Sequence, residues 1–525
     1  MIKTDIFVPV KYTTDDIKTA IQAALPLGTD ELSDLTVLKR RLLLSDKSDI
    51  KYKMTVGITL SEDREAGLLK IRKKVSRAED YSFVLPPSTL AARPVVVGSG
   101  PCGLFAALTL AEAGARPIVL ERGLSVDERG AKVKAFEALG ILDPECNVQF
   151  GEGGAGTYSD GKLKYGAMDK YKMKVLTEFV CAGADEDILY SDTAHLGTDK
   201  LSGIVKHIRE RAVSLGAEFI FSAKVVDIKR SGDFVRGVVY ERGGEVCEIS
   251  TDNIILAIGH SARDTFKVLE GYNLPMSPRP FGIGVRIEHP REYINGLVYG
   301  ENPPSGLETA SYHLVTHLKS GRSVYSFCMC PGGTVVAAAS AEGGIVTNGM
   351  SERARDGENS NAAFLVSVTP SDFPSESALA GFELQRKIEE SAYALTSSYK
   401  APSIRMADFA ENNAPKCLGG VRPSYPLGVE LKAPEEYLPP AVTESLRASI
   451  SDFDEWMNGF YYGDAVLTGP ETRTTSPVRI LRGDDLQSIA LKGLYPAGEG
   501  AGYSGGIVSS AVDGIKCALA MLSQK

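Results

Sequence analysis

One segment near residue 100 restricts the fold more than any other part of the chain. Residues 94–103 read PVVVGSGPCG, which is typical of an apolar strand, a glycine turn and the start of a helix. In such a turn Gly98 allows the sharp bend, Gly100 lets the main chain approach a pyrophosphate, and Gly103 lets helix and strand pack closely. A second strand ends at Glu121, 23 residues after Gly98, where a carboxylate can accept hydrogen bonds from ribose hydroxyls. This order of features predicts a dinucleotide-binding α/β unit.

Length and composition indicate an ordinary globular protein. The 525 residues allow about three domains, and 43% are hydrophobic while 24% are charged. The eight cysteines lack paired CxxC spacing, so we expect neither a disulfide framework nor a metal site. The net charge of −9 weakens attraction to nucleic acid and anionic membranes. No apolar run approaches the ~18 residues of a membrane span, and the start lacks a signal segment, so we expect a cytoplasmic protein.

The first 90 residues are predicted to form a small α+β domain. Its pattern is a strand at 6–10, a helix at 15–24, strands at 34–44 and 52–60 and a helix at 62–75, followed by a Pro-rich linker. Two basic clusters lie in it, Lys39-Arg40-Arg41 and Arg72-Lys73-Lys74. A solvated face is the ordinary interpretation of such clusters, and an RNA-binding surface is the alternative.

The rest of the chain predicts a split domain. Residues 91–270 and 476–525 have α/β character, with helices at 169–183 and 199–215 and strands at 218–221, 224–228, 235–240 and 254–258. Residues 271–475 mix short strands, Pro-bounded loops and one long helix at 379–396. The predicted fold class is therefore α/β: a split Rossmann-like nucleotide domain, an inserted mostly β (α+β) substrate domain and the small N-terminal α+β domain.

The C-terminal glycine-rich segment indicates which nucleotide is bound. Residues 493–507, GLYPAGEGAGYSGGI, resemble the closing flavin motif of FAD-dependent oxidoreductases with the glutathione-reductase-type FAD fold, and 254–259, IILAIG, resemble their middle motif. More specifically, the chain resembles a family of uncharacterised FAD-dependent dehydrogenases. The matching motifs are GEGGAGTYSDGKL at 151–163, GHSARD at 259–264, RIEHP at 286–290, YSFCMCPGG at 325–333, NGMS at 348–351 and TRTTSPVR at 472–479. The resemblance extends from the N-terminal domain to the end, with departures at 359–362 and 397–398.

The resemblance implies bound FAD and a set of residues around it. A helix beginning near Gly505 would face the flavin pyrimidine edge, where its positive dipole end favours negative charge. The glycines of the 151–161 loop, five of eleven residues, would let the backbone approach the isoalloxazine. The residues expected to bind the cofactor are Gly98, Gly100, Pro101, Cys102, Gly103, Glu121, Arg122, Gly154, Gly156, Ser159, Gly161, Lys162, Val225, Gly259, Gly498, Glu499, Gly505, Gly506 and Ile507.

The implied reaction is hydride transfer between flavin N5 and a small organic substrate. Lys162, Arg286 and Arg473 are the candidate catalytic residues, and the arginines suggest an anionic substrate, with ion pairing elsewhere as the alternative. His289 is a candidate general base or a structural histidine. No second strand–GxGxxG–helix unit is visible before residue 480, so NAD(P)H, if it is the electron donor, would dock transiently at the flavin. The oligomeric state is not indicated.

One thiol pair and one competing function complete the hypotheses. In an extended strand Cys328 and Cys330 would lie about 6.7 Å apart at Cα, at the edge of disulfide geometry. They are either small buried residues or a redox pair, which would need a bend. We expect Cys328, Arg286 and Arg473 to border a pocket of several hundred Å³ beside the flavin. The competing hypothesis is a flavin-stabilised RNA- or protein-binding or tRNA-modifying protein in which FAD is structural.

Overall fold

The computed structural model describes residues 1–71, 75–164 and 166–524 of the chain. The N-terminal unit consists of β1 (Ile2–Pro9), α1 (Thr14–Ala24), β2 (Leu35–Leu43), β3 (Lys51–Ile58), α2 (Glu62–Ile71) and β4 (Ser76–Arg77). Its sheet has the order β2-β3-β1-β4 with antiparallel neighbours, the ferredoxin-like arrangement. The predicted strand and helix order is present, with β4 added at the sheet edge, and the basic cluster at 72–74 lies outside the described residues.

The N-terminal unit contacts the rest of the chain through Arg40 of the Lys39-Arg40-Arg41 cluster. Arg40 lies between the rings of Tyr52 and Tyr190, 5.0 and 5.4 Å from their centroids, and its guanidinium is 3.8 Å from Asp187 and 3.6 Å from Glu308. These contacts bury the centre of the Lys39-Arg40-Arg41 cluster. Arg40 therefore contributes to packing between segments rather than to a free basic face.

The domain that follows the N-terminal unit is built on a five-stranded parallel sheet. Its elements are β5 (Val95–Val97), α3 (Pro101–Glu112), β6 (Ile118–Leu120), α4 (Val126–Leu139), α5 (Lys170–Cys181), α6 (Thr198–Ser214), β7 (Glu218–Ile220), β8 (Lys224–Ser231), β9 (Phe234–Arg242), β10 (Glu245–Ser250), β11 (Ile254–Leu256) and α7 (Arg263–Gly271), joined by β23 (Leu494–Pro496) and α12 (Ile507–Leu522) from the C-terminal end. The parallel order is β23-β11-β5-β6-β7, and β8, β9 and β10 form an antiparallel meander beside it. The predicted α/β fold class is confirmed.

Two features explain how distant parts of the sequence join in this domain. The strands β5, β6 and β11 are buried at every position, as expected for a parallel sheet covered on both faces. Helices α3 and α12 pack closely because Gly514 has no side chain: a Cβ there would lie 2.1 Å from the carbonyl oxygen of Cys102. The C-terminal helix is thereby fixed beside the helix that follows the first glycine turn.

The inserted domain is a seven-stranded sheet with helices packed against it. Its elements are β12 (Met276–Pro278), β13 (Phe281–Pro290), α8 (Arg291–Tyr299), β14 (Val315–His317), β15 (Ser323–Cys330), β16 (Thr334–Ala337), β17 (Thr347–Met350), β18 (Asn359–Val368), α9 (Ala380–Thr396), β19 (Ala401–Arg405), α10 (Met406–Ala410), β20 (Val429–Leu431), α11 (Pro440–Trp456) and β21 (Val466–Glu471), and β22 (Val478–Ile480) follows in the C-terminal segment. The large sheet has the order β14-β15-β18-β13-β21-β19-β20. The pairs β12–β22 and β16–β17 form separate ribbons.

The inserted domain differs from prediction in one helix. The expectation of a single long helix is wrong, because α11 has 17 residues, the same length as α9. Its first residue is Pro440, and proline is tolerated at that position because the first N–H of a helix has no intrahelical partner. No helix among residues 1–71, 75–164 and 166–524 is long and apolar enough to cross a membrane.

Short 3₁₀ turns complete the secondary structure, at Thr29–Leu32, Ala155–Tyr158, Glu186–Leu189, Pro370–Asp372 and Pro434–Glu436. The second of these lies inside the glycine-rich loop after α4. Gly153 and Gly154 precede it with φ of +82° and +62°, the left-handed region that favours glycine. The loop is thus folded back on itself rather than extended.

Candidate active site

A cavity of about 350 Å³ lies where the carboxyl ends of the parallel strands meet the inserted domain. Its walls come from both predicted glycine segments, from the loop after α4 and from β15 and β21 of the inserted domain. The residues predicted to bind the cofactor that line it are Gly98, Gly100, Pro101, Cys102, Glu121, Arg122, Gly154, Gly156, Ser159, Gly161, Lys162, Val225, Gly259, Gly498, Glu499, Gly505, Gly506 and Ile507. Chain segments some 400 residues apart therefore share one cavity, as an extended dinucleotide requires.

Two glycines of the first turn, Gly98 and Gly103, are required because a side chain there would clash with the main chain. Gly98 has φ +96°, and a Cβ there would lie 2.4 Å from the carbonyl oxygen of Ala257. A Cβ on Gly103 would lie 1.9 Å from the carbonyl oxygen of Gly98. Both are required by the protein's own packing, and Gly103, the one predicted cofactor residue absent from the cavity lining, acts through helix–strand packing alone.

Gly100 and Gly505, by contrast, are not required by the fold. A Cβ on Gly100 would meet only the Cα of Gly154, at 3.8 Å, and a Cβ on Gly505 would have no atom within 4 Å, while both residues line the cavity. Helices α3 and α12 begin beside these glycines, and the first N–H groups of a helix favour a negatively charged ligand. The cavity thus has glycines at positions where the protein itself has space for a side chain, and the N-termini of α3 and α12 border it. These features fit a dinucleotide with a pyrophosphate.

The Glu121 carboxylate is also used within the protein. One oxygen accepts from the N–H of Ser99 at 2.9 Å and from its hydroxyl at 2.7 Å, and the other accepts from the N–H groups of Gly123 at 2.9 Å and Gly151 at 3.0 Å. Glu121 thus joins the glycine turn to the glycine-rich loop. It still lines the cavity, so a ribose hydroxyl would share these acceptors.

The neighbouring Arg122 lines the cavity as part of an ion-pair cluster. Its guanidinium donates two hydrogen bonds to Asp264, at 3.0 and 2.9 Å, and one to Glu145 at 2.7 Å, and it lies 4.0 Å from the ring centroid of Phe150. Although burial acts to raise it, the Arg122 and Lys224 cations hold the pKa of Asp264 well below its ordinary value. Arg122 therefore fixes the shape of this end of the cavity.

Glu499 is a carboxylic acid in the C-terminal part of the wall. Burial raises its pKa to about 7, and the Arg279 cation opposes this only in part. Near neutral pH the group is therefore divided between its acid and its carboxylate. It can donate to or accept from a hydroxyl-rich ligand.

Lys162 is held at the cavity wall by the inserted domain. Its ammonium is 2.8 Å from Asp160 Oδ2 and also donates to the carbonyl oxygen of Met329. Asp160 in turn accepts two hydrogen bonds from Arg355. Lys162 therefore lines the cavity, and Lys164 is a second cation in the lining.

The two predicted catalytic arginines are placed differently from each other. Arg473 lines the cavity, but two of its guanidinium nitrogens donate to Glu389, both at 2.9 Å. The third guanidinium nitrogen of Arg473 donates to Ser261 at 3.2 Å. Glu389 also binds Arg263, and although burial acts to raise it, these two cations lower its pKa to about 2. Arg473 belongs to a buried ion triad rather than presenting a free fork to a substrate.

Arg286 lies behind the wall, not in it. It is fully buried, paired with Glu471 at 3.2 Å, and it donates to Asn361 at 2.7 Å and to the carbonyl oxygen of Cys328 at 2.8 Å. The expectation that it borders the pocket is corrected, because a guanidinium in the interior must have its donors satisfied and this one is satisfied by protein groups. Arg286 is a positioning residue for the Cys328 segment.

His289 also lies outside the cavity lining, as does Arg479, the last residue of the TRTTSPVR motif. His289 is fully buried, with Nε2 3.0 Å from the carbonyl oxygen of Phe460, and burial lowers its pKa to about 4. Among the described residues its Nδ1 has no hydrogen-bond partner. This favours the structural histidine over the general base. Arg479 donates to the carbonyl oxygen of Gly502 at 3.1 Å, which is a packing role.

The cavity also contains side chains that sequence reasoning did not select. They are polar, charged or aromatic residues that come from widely separated parts of the chain: Gln149, Phe150, Asp160, Lys164, Lys224, His260, Ser261, Thr265, Phe327, Asn348, Glu471, Thr474, Ser509 and Ser510. Several lie within the motifs that carry the family resemblance, which was the available signal for them. Charge and periodicity alone could not identify them, because each is brought to the cavity by tertiary packing.

Comparisons with known proteins identify the family of the chain. Residues 280–474 match the family described as FAD-dependent protein, C-terminal domain-like. A protein of Clostridium beijerinckii described as uncharacterised is 46% identical over 501 residues, covering 94% of this chain and 93% of that protein.

Several solved structures resemble the chain at low identity. The flavin-dependent brominase Bmp2, as a triple mutant, has a TM-score of 0.36 and 11% identity over 82% of this chain and 81% of its own. The 3-ketosteroid-delta4-(5alpha)-dehydrogenase of Rhodococcus jostii RHA1 has a TM-score of 0.35 and 13% identity over 84% of this chain and 100% of its own.

Proposed function

This chain belongs to the family of FAD-dependent proteins with that C-terminal domain, and we propose that it is an oxidoreductase that transfers a hydride between flavin N5 and a small organic substrate. The observation that carries the proposal is the continuous cavity from the Gly98 turn to the start of α12, roofed by the inserted domain. When bound there, FAD would supply the hydride chemistry, and the chain would supply orientation and charge.

The chain's residues divide these tasks along the cavity. The Gly98–Gly103 turn and the start of α3 would hold the pyrophosphate, and Glu121 would accept from the ribose. The start of α12 would lie at the isoalloxazine, where its N–H groups favour negative charge on the reduced ring. Phe327 and Thr474 of the inserted domain would exclude water from the opposite side.

We propose an organic anion as the substrate, on the charges that remain available in the cavity. Arg473 is neutralised by Glu389, whereas Lys164 is an exposed part of the lining with no hydrogen-bond partner among the described residues. Partial loss of water on its cavity side and the nearby Lys162 cation lower the pKa of Lys164, so an anion bound beside Lys164 would offset both effects. NAD(P)H, itself an anion, is proposed as a transient electron donor at the same face.

The cofactor proposal is tested by release and by one glycine substitution. Denatured wild-type protein should release one FAD per chain, whereas recovery of NAD or of no nucleotide from folded protein would overturn the proposal. Gly100→Leu should fold, because its Cβ meets no close atom, but should bind FAD at least about tenfold more weakly, since the side chain would occupy the place of the pyrophosphate.

Gly203→Leu is the matched control. Gly203 is an exposed position on α6 where a Cβ also meets no atom within 4 Å, and it is outside the cavity lining. This variant should retain FAD as wild type does. Equal FAD affinity in folded Gly100→Leu and wild type would refute the placement of the pyrophosphate.

The substrate proposal is tested by anaerobic reduction of the bound flavin. We expect organic anions to reduce or oxidise the flavin with a rate that falls in Lys164→Met, chiefly through KM, while FAD content stays unchanged. Reduction equally fast in Lys164→Met would remove the anion contact. A flavin that neither NADH, NADPH nor any organic donor reduces, together with RNA binding of steep salt dependence, would favour the RNA-binding alternative instead.

A further inference from the structure

The strand β15 is bent at the residue that faces the cavity. Its pairing with β18 shifts register between Phe327 and Cys330, so the strand contains a bulge. Within that bulge Cys328 has φ +39°, a left-handed conformation uncommon for a residue other than glycine. The bend that a Cys328–Cys330 redox pair would require is therefore present, and strained backbone of this kind concentrates at functional sites.

The two thiols occupy different positions relative to the cavity. Cys328 lines the cavity and is partly exposed, whereas Cys330 is fully buried behind it. The Cys330 sulfur lies 3.2 Å from the carbonyl oxygen of Cys328 and within hydrogen-bonding reach of the Cys328 sulfur, so its single S–H can be donated to either acceptor. Arg286 fixes both residues, with one nitrogen 2.8 Å from the Cys328 carbonyl oxygen and 3.5 Å from the Cys330 sulfur.

The charges around Cys328 favour its thiolate. The hydrogen bond from Cys330 lowers the pKa of the Cys328 thiol, and the Lys162 and Arg286 cations add to this against the effects of burial and of Asp160. Lys164 also faces the sulfur as a cation, and Glu471 as an acid whose pKa burial raises to about 7. Burial raises the pKa of Cys330, so the pair at neutral pH is one thiolate and one thiol.

We propose that Cys328 and Cys330 form a dithiol–disulfide pair that exchanges two electrons with the flavin in the cavity. The inference rests on the proposed function, because it needs a bound flavin. An inert buried pair would explain the position of Cys330 alone. It would not explain a strained cysteine in the cavity wall, with a second thiol behind it and cations on two other segments.

The exchange balances without a further reactant. The Cys328 thiolate and the Cys330 thiol form one S–S bond, lose the Cys330 proton and release two electrons. The two electrons and that proton pass to the oxidised flavin, and in the reverse direction they return from the reduced flavin and the S–S bond breaks. The pair would thus store two electrons between the flavin and a substrate.

Anaerobic dithionite titration of the FAD-loaded protein tests the pair. Wild type should take up about four electrons per FAD, two for the flavin and two for the disulfide, and Cys328→Ser and Cys330→Ser should each take up about two. Cys247→Ser, which changes a cysteine on β10 outside the cavity, should still take up about four. Uptake of two by wild type with FAD bound would refute the pair and leave the flavoenzyme intact.

A second readout depends on the chain and not on turnover. Iodoacetamide added under denaturing conditions, followed by peptide mass spectrometry, should label neither cysteine of the 323–334 segment in oxidised protein and both after reduction. In reduced Cys330→Ala, labelling of Cys328 in the folded protein should need a higher pH than in wild type, because the thiol that donates to its sulfur is removed. Labelling of both cysteines in fully oxidised protein would overturn the proposal, whereas failure to bind any FAD would overturn the proposed function instead.

Discussion

Replacement of Glu121 by glutamine separates the two roles of its carboxylate. The amide keeps one acceptor oxygen but places an NH₂ group against donors. The best arrangement turns the NH₂ toward Ser99, whose hydroxyl can accept, and leaves the Ser99 N–H without an acceptor. An unpaired buried N–H costs about 1–3 kcal/mol, and the remaining bonds lose their charge assistance. We therefore expect Glu121→Gln to lower the free energy of unfolding by about 2–4 kcal/mol without any ligand.

Urea unfolding of FAD-free protein is the assay, because it removes the ribose from the comparison. The control is Glu218→Gln: Glu218 pairs with Arg93 at 2.9 Å on the surface, and exposed pairs contribute at most about 1 kcal/mol. A double-mutant cycle that combines Glu121→Gln with Ser99→Ala should give a larger coupling energy than a cycle on the surface pair of Glu218 and Arg93. If Glu121→Gln unfolds at the wild-type urea midpoint and loses only FAD affinity, the carboxylate is a ribose ligand and does not hold the turn.

Three further predictions concern buried charges and domain packing. Glu389→Gln leaves the Arg473 triad with uncompensated cations and should lower stability by about 3–5 kcal/mol in thermal unfolding, while Glu390→Gln at the exposed neighbour should not. His289, whose pKa is lowered to about 4, stays neutral in the folded state, so stability should fall as pH drops from about 6.5 to 4. His289→Gln should reduce that slope by about 1.4 kcal/mol per pH unit in pH-dependent denaturation, and an unchanged slope would contradict this. Arg40→Ala should speed proteolysis of the linker at 78–92, and an unchanged cleavage rate would show that Arg40 does not secure the N-terminal unit.

Local motifs predicted the nucleotide end of the site well. Gly98 and Gly103 could be identified because a strand, a tight turn and a helix leave no room for a side chain there. Gly505 could be identified through its family motif, because the fold itself does not demand a glycine at that position. The positive φ of Gly98 and the contact of Gly103 with Gly98 are local causes that the sequence carries, whereas the contact of Gly98 with Ala257 is long-range.

The inserted domain was less predictable because its contacts are long-range. The bend at Cys328 follows from a register shift of β15 against β18, and no local pattern in the YSFCMC segment predicts it. Helix α11 was missed because prolines at 439 and 440 read as a break, whereas they stand before and at the first helical residue. Arg473 was predicted to bind an anionic substrate because its actual partner, Glu389, lies 84 residues away in the sequence and could not be recognised.

Arg286 shows why a residue type alone does not give a role. A guanidinium in an apolar interior is tolerated only where a counter-charge and acceptors surround it, and Glu471, Asn361 and the Cys328 carbonyl oxygen supply these. Once satisfied in this way, Arg286 has no donor left for a substrate. Its fork instead holds the main chain of Cys328 to the sheet that carries Glu471. Under the proposed function, anion binding in the cavity would depend on Lys164 and not on Arg286, which would affect the chemistry only through the position of the thiol it fixes.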